Sequence, residues 1–362
     1  METLRATTVI TPDALLTPGE VSVDGGVIVD VRPTTGVAPD RVLCPGFVDV
    51  QVNGHDDVHC STAVGDAWER MDALLVAQGV TAWCPTLVTA PLDSFADPLK
   101  RITEAAARPA TATRPAILGA HLEGPFLGDA HGAHNPDWVS DLDLDWIAAL
   151  PEIVCLMTLG PELRGATEAI ELLVVRGALV SLGHSTATYE QTIAGADAGA
   201  RLVTHLFNGM APLHHRNPGI LGAALADDRL TPSLIADGVH VHPAALRAAA
   251  RAKGRGNWIL VTDAVGWRDP GTVGGRVSIV DGAPRLANGT IAGSCLTMDA
   301  AVARMVHEAG IDLVDVVQAA STTPARLLGR RDERGAISAG LRADLVALDP
   351  STLRATEVWI AT

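Results

Sequence analysis

Eight short apolar, β-rich runs recur along the middle of the chain, separated by Ala-rich amphipathic stretches, and this alternation limits the fold more than any other feature. They begin at Leu43, Val80, Ile117, Ile153, Ala178, Ala200, Ser233 and Trp258. Strands that alternate with helical crossovers are parallel and buried on both faces. Eight of them favour a (β/α)8 barrel, which ordinarily needs about 250 residues, over an open doubly wound sheet. No GxGxxG stretch follows a strand, which argues against a dinucleotide fold. At 362 residues there is room for the barrel and a second, smaller unit.

That second unit is expected from the chain ends. In EVSVDGGVIVDVRP, Asp24-Gly25 separates two β-branched segments as a hairpin turn does, and the last thirty residues resume the same texture. The reading is a small β-sandwich from residues 1–44 with 335–362, and a barrel over 45–334 carrying a β-hairpin insertion near 271–293. The helical spacing of MDAAVARMVHEAGIDLVDVVQAAS then closes the barrel from outside.

Composition narrows the function. A net charge of −15 disfavours nucleic acid as the main partner. The 48% hydrophobic content is carried by Ala and Val, with no uncharged run long enough to span a bilayer. Five cysteines without a CxxC pair, and an N-terminus without a signal pattern, point to the reducing cytoplasm.

Polar residues inside a buried strand are costly unless paired, and at its C-terminal end they face the loops that build active sites. Here they collect at those ends: His121 and Glu123 on the third run, His184 on the fifth, His205 and Asn208 on the sixth, Asp237 and His240 on the seventh, Asp263 on the eighth. A lone histidine at such a place is more often structural. Convergence of five strands changes that reading. Glu123, His184 and His205 offer two imidazoles and one carboxylate, the composition of a catalytic zinc site that keeps one position open for water. Asp263 is the candidate acid and base, because an ionised carboxylate beside a cation accepts the proton of a water acidified by the metal.

Read in order, PGFVDVQVNG (45–54), HLEGPF (121–126), GAHNP (132–136), LGHS (182–185), THLFNGM (204–210), RNPG (216–219), IADGVH (235–240), VTDA (261–264) and GSCLTM (293–298) resemble the amidohydrolase superfamily, and within it the N-acetylglucosamine-6-phosphate deacetylase family. The resemblance spans most of the chain. It implies a barrel with a small β-sandwich, Glu123, His184 and His205 as metal ligands, and Asp263 as general base and acid. It also implies that His134 touches the acetyl carbonyl and that Asn208, the Gly209 amide, Arg216 and His240 bind the sugar phosphate, with Leu296 lining the pocket. Arg216 and His240 would come from the neighbouring subunit of a homodimer. Since an acidic protein repels an anionic substrate at long range, its phosphate must be held by local donors such as an Arg fork.

One departure is on the first strand, where many members of the superfamily carry His-x-His for a second metal and this chain has Gln51-Val52-Asn53. Amides are poor zinc ligands, so one divalent ion per subunit is expected, zinc first, with iron, cobalt or manganese accepted by the same donors. His55 and His59 lie just beyond that strand, within reach of a second ion, but in a loop of this kind solvent exposure is the expectation. The expected reaction is removal of acetate from N-acetylglucosamine 6-phosphate. Alternatives are another acetamido sugar phosphate such as N-acetylgalactosamine 6-phosphate, a cyclic amide, or a non-catalytic sugar-phosphate binder; the missing strand-one histidines weigh against the second and the intact acid, base and ligand set against the third.

Overall fold

The computed structural model describes residues 1–268 and 277–362. Eight parallel strands form the body: β1 (Phe47–Asp56), β2 (Val80–Val88), β3 (Ala120–Glu123), β4 (Val154–Leu159), β5 (Leu179–Leu182), β6 (Leu202–Val203), β7 (Thr231–Leu234) and β8 (Ile259–Leu260). Each neighbours the next in space as in sequence. Closure is achieved by a break in the last strand: Ile259–Leu260 pairs with β7, whereas Ala264–Gly266 pairs with β1. Asp263 sits at that break, its backbone N–H donating 2.9 Å to the Gln51 carbonyl. Each of the eight expected runs overlaps an observed strand, and the sheet is the (β/α)8 barrel anticipated.

Eight helices alternate with the strands: α1 (Asp66–Val76), α2 (Ala96–Ala106), α3 (Leu144–Ala149), α4 (Ala166–Val175), α5 (Tyr189–Ala198), α6 (Gly219–Ala226), α7 (Pro243–Lys253) and α8 (Met298–His307). Local chemistry fixes their ends. Helix α5 opens on a capping box between Thr188 and Gln191 and stops at Gly199, whose φ of 117° suits glycine. Helix α7 opens with Pro243 in its first turn, where the missing N–H has no helical partner to lose. The apolar faces pack onto a continuous core that includes Phe47, Trp83, Leu122, Val180 and Trp258. Among the described residues, no helix is long and apolar enough to cross a membrane.

The chain ends build two further sheets. One holds Glu2–Ala6, Gly19–Asp24 and Val27–Pro33; the other holds Thr8–Ile10, Leu15–Leu16, Val42–Pro45, Leu345–Leu348 and Ala355–Trp359. They share a separate core of Leu4, Val9, Val21, Ile28, Leu43 and Leu345. The turn of the expected hairpin is Gly25-Gly26, with φ of 55° and 76°, which lets the two strands reverse with their own twist. Of the expected insertion, residues 271–276 lie outside the described residues; Ser278–Val280 pairs antiparallel with Ala283–Arg285 in the remainder.

Candidate active site

The barrel delivers its polar residues to a single cavity of about 400 Å³ at the C-terminal ends of the strands. Glu123, His134, His184, His205, Asp263 and His240 all line it. The side-chain oxygen Oε1 of Glu123 lies 3.1 Å from His184 Nε2 and 3.0 Å from His205 Nε2, and the two nitrogens are 3.0 Å apart. Glu123 and both histidines are buried. Two imidazole nitrogens and a carboxylate oxygen presented to one another are mutually repulsive unless a cation or a proton sits among them. Tetrahedral bonds of about 2.0–2.2 Å separate ligand atoms by roughly 3.3–3.6 Å, close to the observed triangle, so the donor set fits one divalent ion. The ring faces are fixed from behind: His184 Nδ1 is 3.2 Å from the Ala130 carbonyl, and His205 Nδ1 is 3.2 Å from the Asn208 carbonyl. Such backing bonds leave Nε2 as the ligand atom.

His184, His205 and Asp263 have positive φ, at 49°, 26° and 49°. Non-glycine residues seldom occupy that region, and it is retained mostly where function requires a particular side-chain direction. The strand sequence supplies burial and direction; the reversal just beyond each strand aims the polar group inward.

His134 comes from the loop after β3. Its Nε2 is 3.8 Å from Glu123 Oε2, its Nδ1 is 2.8 Å from the Thr89 hydroxyl, and Glu123, His134 and His184 also form a group able to hold a metal. Burial and the neighbouring His184 push the His134 ring down to about 3, so it is uncharged at neutral pH. Burial opposes ionisation of Glu123, yet the bonds from His184 and His205 hold it well below the usual carboxylate range. Asp263 lies in the opposite regime: burial and the charge of Glu123 push it up to about 7.

Several expectations need correction. His240 lines the cavity of its own chain; its Nδ1 is 2.6 Å from Asp237 Oδ2, and Asp237 Oδ1 also accepts the His240 backbone N–H at 2.8 Å. A ring held by its own loop is not an arm reaching into another subunit. Leu296 is not on the cavity wall either, but 6% exposed within the barrel core. His55, expected in solvent, is 7% exposed, and its Nδ1 has no hydrogen-bond partner among the described residues. His59 lines the cavity. His121 points away from the metal-type triangle, its Nε2 2.9 Å from the Thr158 hydroxyl.

Asn208 and Gly209 are on the wall as expected, whereas Arg216 is exposed and 2.8 Å from His215 Nε2. Among the described residues, no lysine or arginine lines the cavity. Thr89 and the amide donors of Gln51 and Asn53 were not expected to matter. The signal for Thr89 is its place at the C-terminal end of the second run; for Gln51 and Asn53 it is alternation, which puts both on the barrel interior.

A model of the amidohydrolase family matches residues 42–360. The N-acetylgalactosamine-6-phosphate deacetylase of Escherichia coli O157:H7 is 37% identical, over 99% of this chain and 97% of its own. The N-acetylglucosamine-6-phosphate deacetylase of Rattus norvegicus is 38% identical, over 86% and 80%. The solved structure of a mutant N-acetyl-D-glucosamine-6-phosphate deacetylase from Mycobacterium smegmatis, in complex with N-acetyl-D-glucosamine-6-phosphate, is 35% identical, with a TM-score of 0.90 over 99% of this chain and 97% of that one. With its barrel, its small β unit and a family match over nearly its whole length, this chain belongs to the amidohydrolase family.

Proposed function

We propose that the protein is a metal-dependent hydrolase that removes acetate from N-acetylglucosamine 6-phosphate and leaves glucosamine 6-phosphate. The observation that carries this reading is the convergence of Glu123, His184, His205 and Asp263 on one buried cavity, in a chain 35–38% identical to deacetylases of that substrate. One divalent ion per subunit, zinc by its affinity for two imidazoles and a carboxylate, would be held by Glu123, His184 and His205. When bound, it acidifies a water and polarises the amide carbonyl.

The protein side chains do the rest. His134, whose Nδ1 lies 2.8 Å from the Thr89 hydroxyl, faces the acetyl oxygen with Nε2, where a donor is worth most as negative charge develops. Asp263 takes the proton of the attacking water and returns it to the departing nitrogen. Asn208, the Gly209 amide and His240 bind the sugar phosphate, and Asp237 holds the His240 ring with Nε2 outward. Among the described residues the cavity wall has no cation of its own and Arg216 is exposed without a carboxylate partner, so Arg216 is assigned to the phosphate of a neighbouring subunit's substrate in a homodimer. Its place of work is the cytoplasm, in accord with five free cysteines.

A second reading, the galactosamine epimer, is favoured by one observation: the relative matched over 99% of this chain acts on N-acetylgalactosamine 6-phosphate by name. Acetate release from both epimers, each with and without the 6-phosphate, tests the assignment. Turnover is expected with the phosphorylated glucosamine derivative and at least tenfold less without the phosphate. Equal rates with and without it overturn the sugar-phosphate assignment; a preference for the galactosamine epimer selects the second reading.

A further inference from the structure

The first barrel strand carries two amides where a two-metal member of the superfamily would carry histidines, and the structure gives them a task. Asn53 Nδ2 donates to Asp263 Oδ1 at 2.7 Å. Gln51 Nε2 donates to the same oxygen at 3.3 Å and to Glu123 Oε1 at 2.8 Å. The orientation of Gln51 is forced, because ionised carboxylates only accept, and its Oε1 is engaged by the Thr204 hydroxyl at 3.1 Å. At Asn53 the same orientation leaves Oδ1 buried without a partner among the described residues, a cost that the bond to Asp263 must outweigh. Among the described residues nothing donates to Asp263 Oδ2.

We propose that Asn53, supported by Gln51, is a positioning residue: it pins Oδ1 of Asp263 so that the carboxylate cannot turn and Oδ2 alone is left to take and return the proton. The inference rests on the assignment of Asp263 as general base. Reliance on one oxygen follows from the geometry: both donors come from strand β1, they approach the same atom, and the Asp263 backbone is itself tied to the Gln51 carbonyl. Rotation of the side chain would break both bonds at once. Gln51 also steadies Glu123, so its replacement would disturb the metal-type triangle as well; among the described residues the Asn53 side chain hydrogen-bonds to Asp263 alone and is the cleaner probe.

Two variants of the full chain test this. Asn53→Ala removes the donor, and Asn53→Leu keeps the bulk of the side chain while it cannot donate. Both are expected to lower kcat about ten- to hundredfold, the scale of one hydrogen bond to a charged group, with KM within threefold and metal content unchanged. Asn53→Gln, which keeps the donor on a longer arm, should recover part of the loss. In an Asp263→Asn background, Asn53→Ala should cost nothing more, because a residue that acts through another has no effect once that other is gone. A kcat within twofold of wild type in both Asn53 variants overturns the proposal. So does a loss that persists undiminished in the Asp263→Asn background. If Asp263→Asn itself keeps wild-type turnover, the base assignment fails instead, and the two failures are told apart on one set of proteins.

Discussion

His184 Nε2 and His205 Nε2 stand 3.0 Å apart with their rings nearly perpendicular, and both are directed at the same oxygen of Glu123. Neutral imidazoles cannot bond to each other through two bare nitrogens, so the arrangement calls for a positive charge at its centre. Glu123→Gln and His184→Ala should each lower the metal content of purified protein to well under half an equivalent. Elemental analysis of the purified variants checks this; a full equivalent in either variant removes that residue from the ligand set. Chelation should abolish acetate release, and zinc should restore it.

Asp263→Asn keeps the shape and the Asn53 contact but cannot accept a proton. The expected outcome is a fall in kcat of about a hundredfold to ten-thousandfold with metal content intact. In wild-type enzyme the base must be ionised to work, so activity should fall as the pH drops through the pKa of Asp263. Burial and Glu123 push that group up to about 7; a cation bound by Glu123 offsets the second influence, so the acid limb of kcat/KM should lie below 7. A pH–rate profile that stays flat down to pH 4 would remove Asp263 as the base.

Arg216→Ala should raise KM for the phosphorylated substrate about ten- to hundredfold, the weight of one charge-assisted contact, and leave turnover of the unphosphorylated sugar unchanged. If Arg216 acts across a dimer, mixing Arg216→Ala subunits with Asp263→Asn subunits should restore activity, since one site of each mixed dimer then holds both groups intact. No recovery after verified subunit exchange would mean that Arg216 serves its own chain or none.

The barrel was legible because its signal is repeated: eight buried strands each announce themselves as an apolar run, and errors at one do not propagate. Glu123, His184, His205 and Asp263 were legible because ionisable groups in such runs have few bland explanations. What the residues could not reveal was direction. His240 was expected to cross an interface, yet Asp237 three residues earlier turns its ring into its own cavity. His55 looked like an exposed loop residue, but β1 extends through Asp56 and buries it. Leu296 shares a motif with site residues and still faces the core, because its neighbour Ser294 ties that segment to the Thr262 carbonyl. Side-chain aim depends on a few backbone angles past each strand end, and no periodicity encodes those.

Beneath the catalytic layer, Asp49 is fully buried, with Oδ1 accepting the backbone N–H groups of Gln51 at 3.2 Å and Thr262 at 3.3 Å and Oδ2 the Thr262 hydroxyl at 2.5 Å. Burial outweighs these three donors and pushes the carboxyl up to about 7. A carboxyl that holds its proton more tightly when folded favours the native state at low pH. Between about pH 4, where the unfolded chain loses this proton, and about pH 7, where the folded chain does, unfolding releases a proton. Stability should therefore decline over that window, by up to about 4 kcal/mol from this group, and level off above it. The control is Asp49→Asn, which keeps one accepting oxygen for the two N–H groups and offers its own N–H to the Thr262 hydroxyl, so it should fold and lose this part of the slope. Urea denaturation at about pH 4.5, 6 and 8, spanning the window, measures the difference. An Asp49→Asn protein whose stability falls with pH as steeply as wild type would show that Asp49 is ionised throughout, with its three donors outweighing burial.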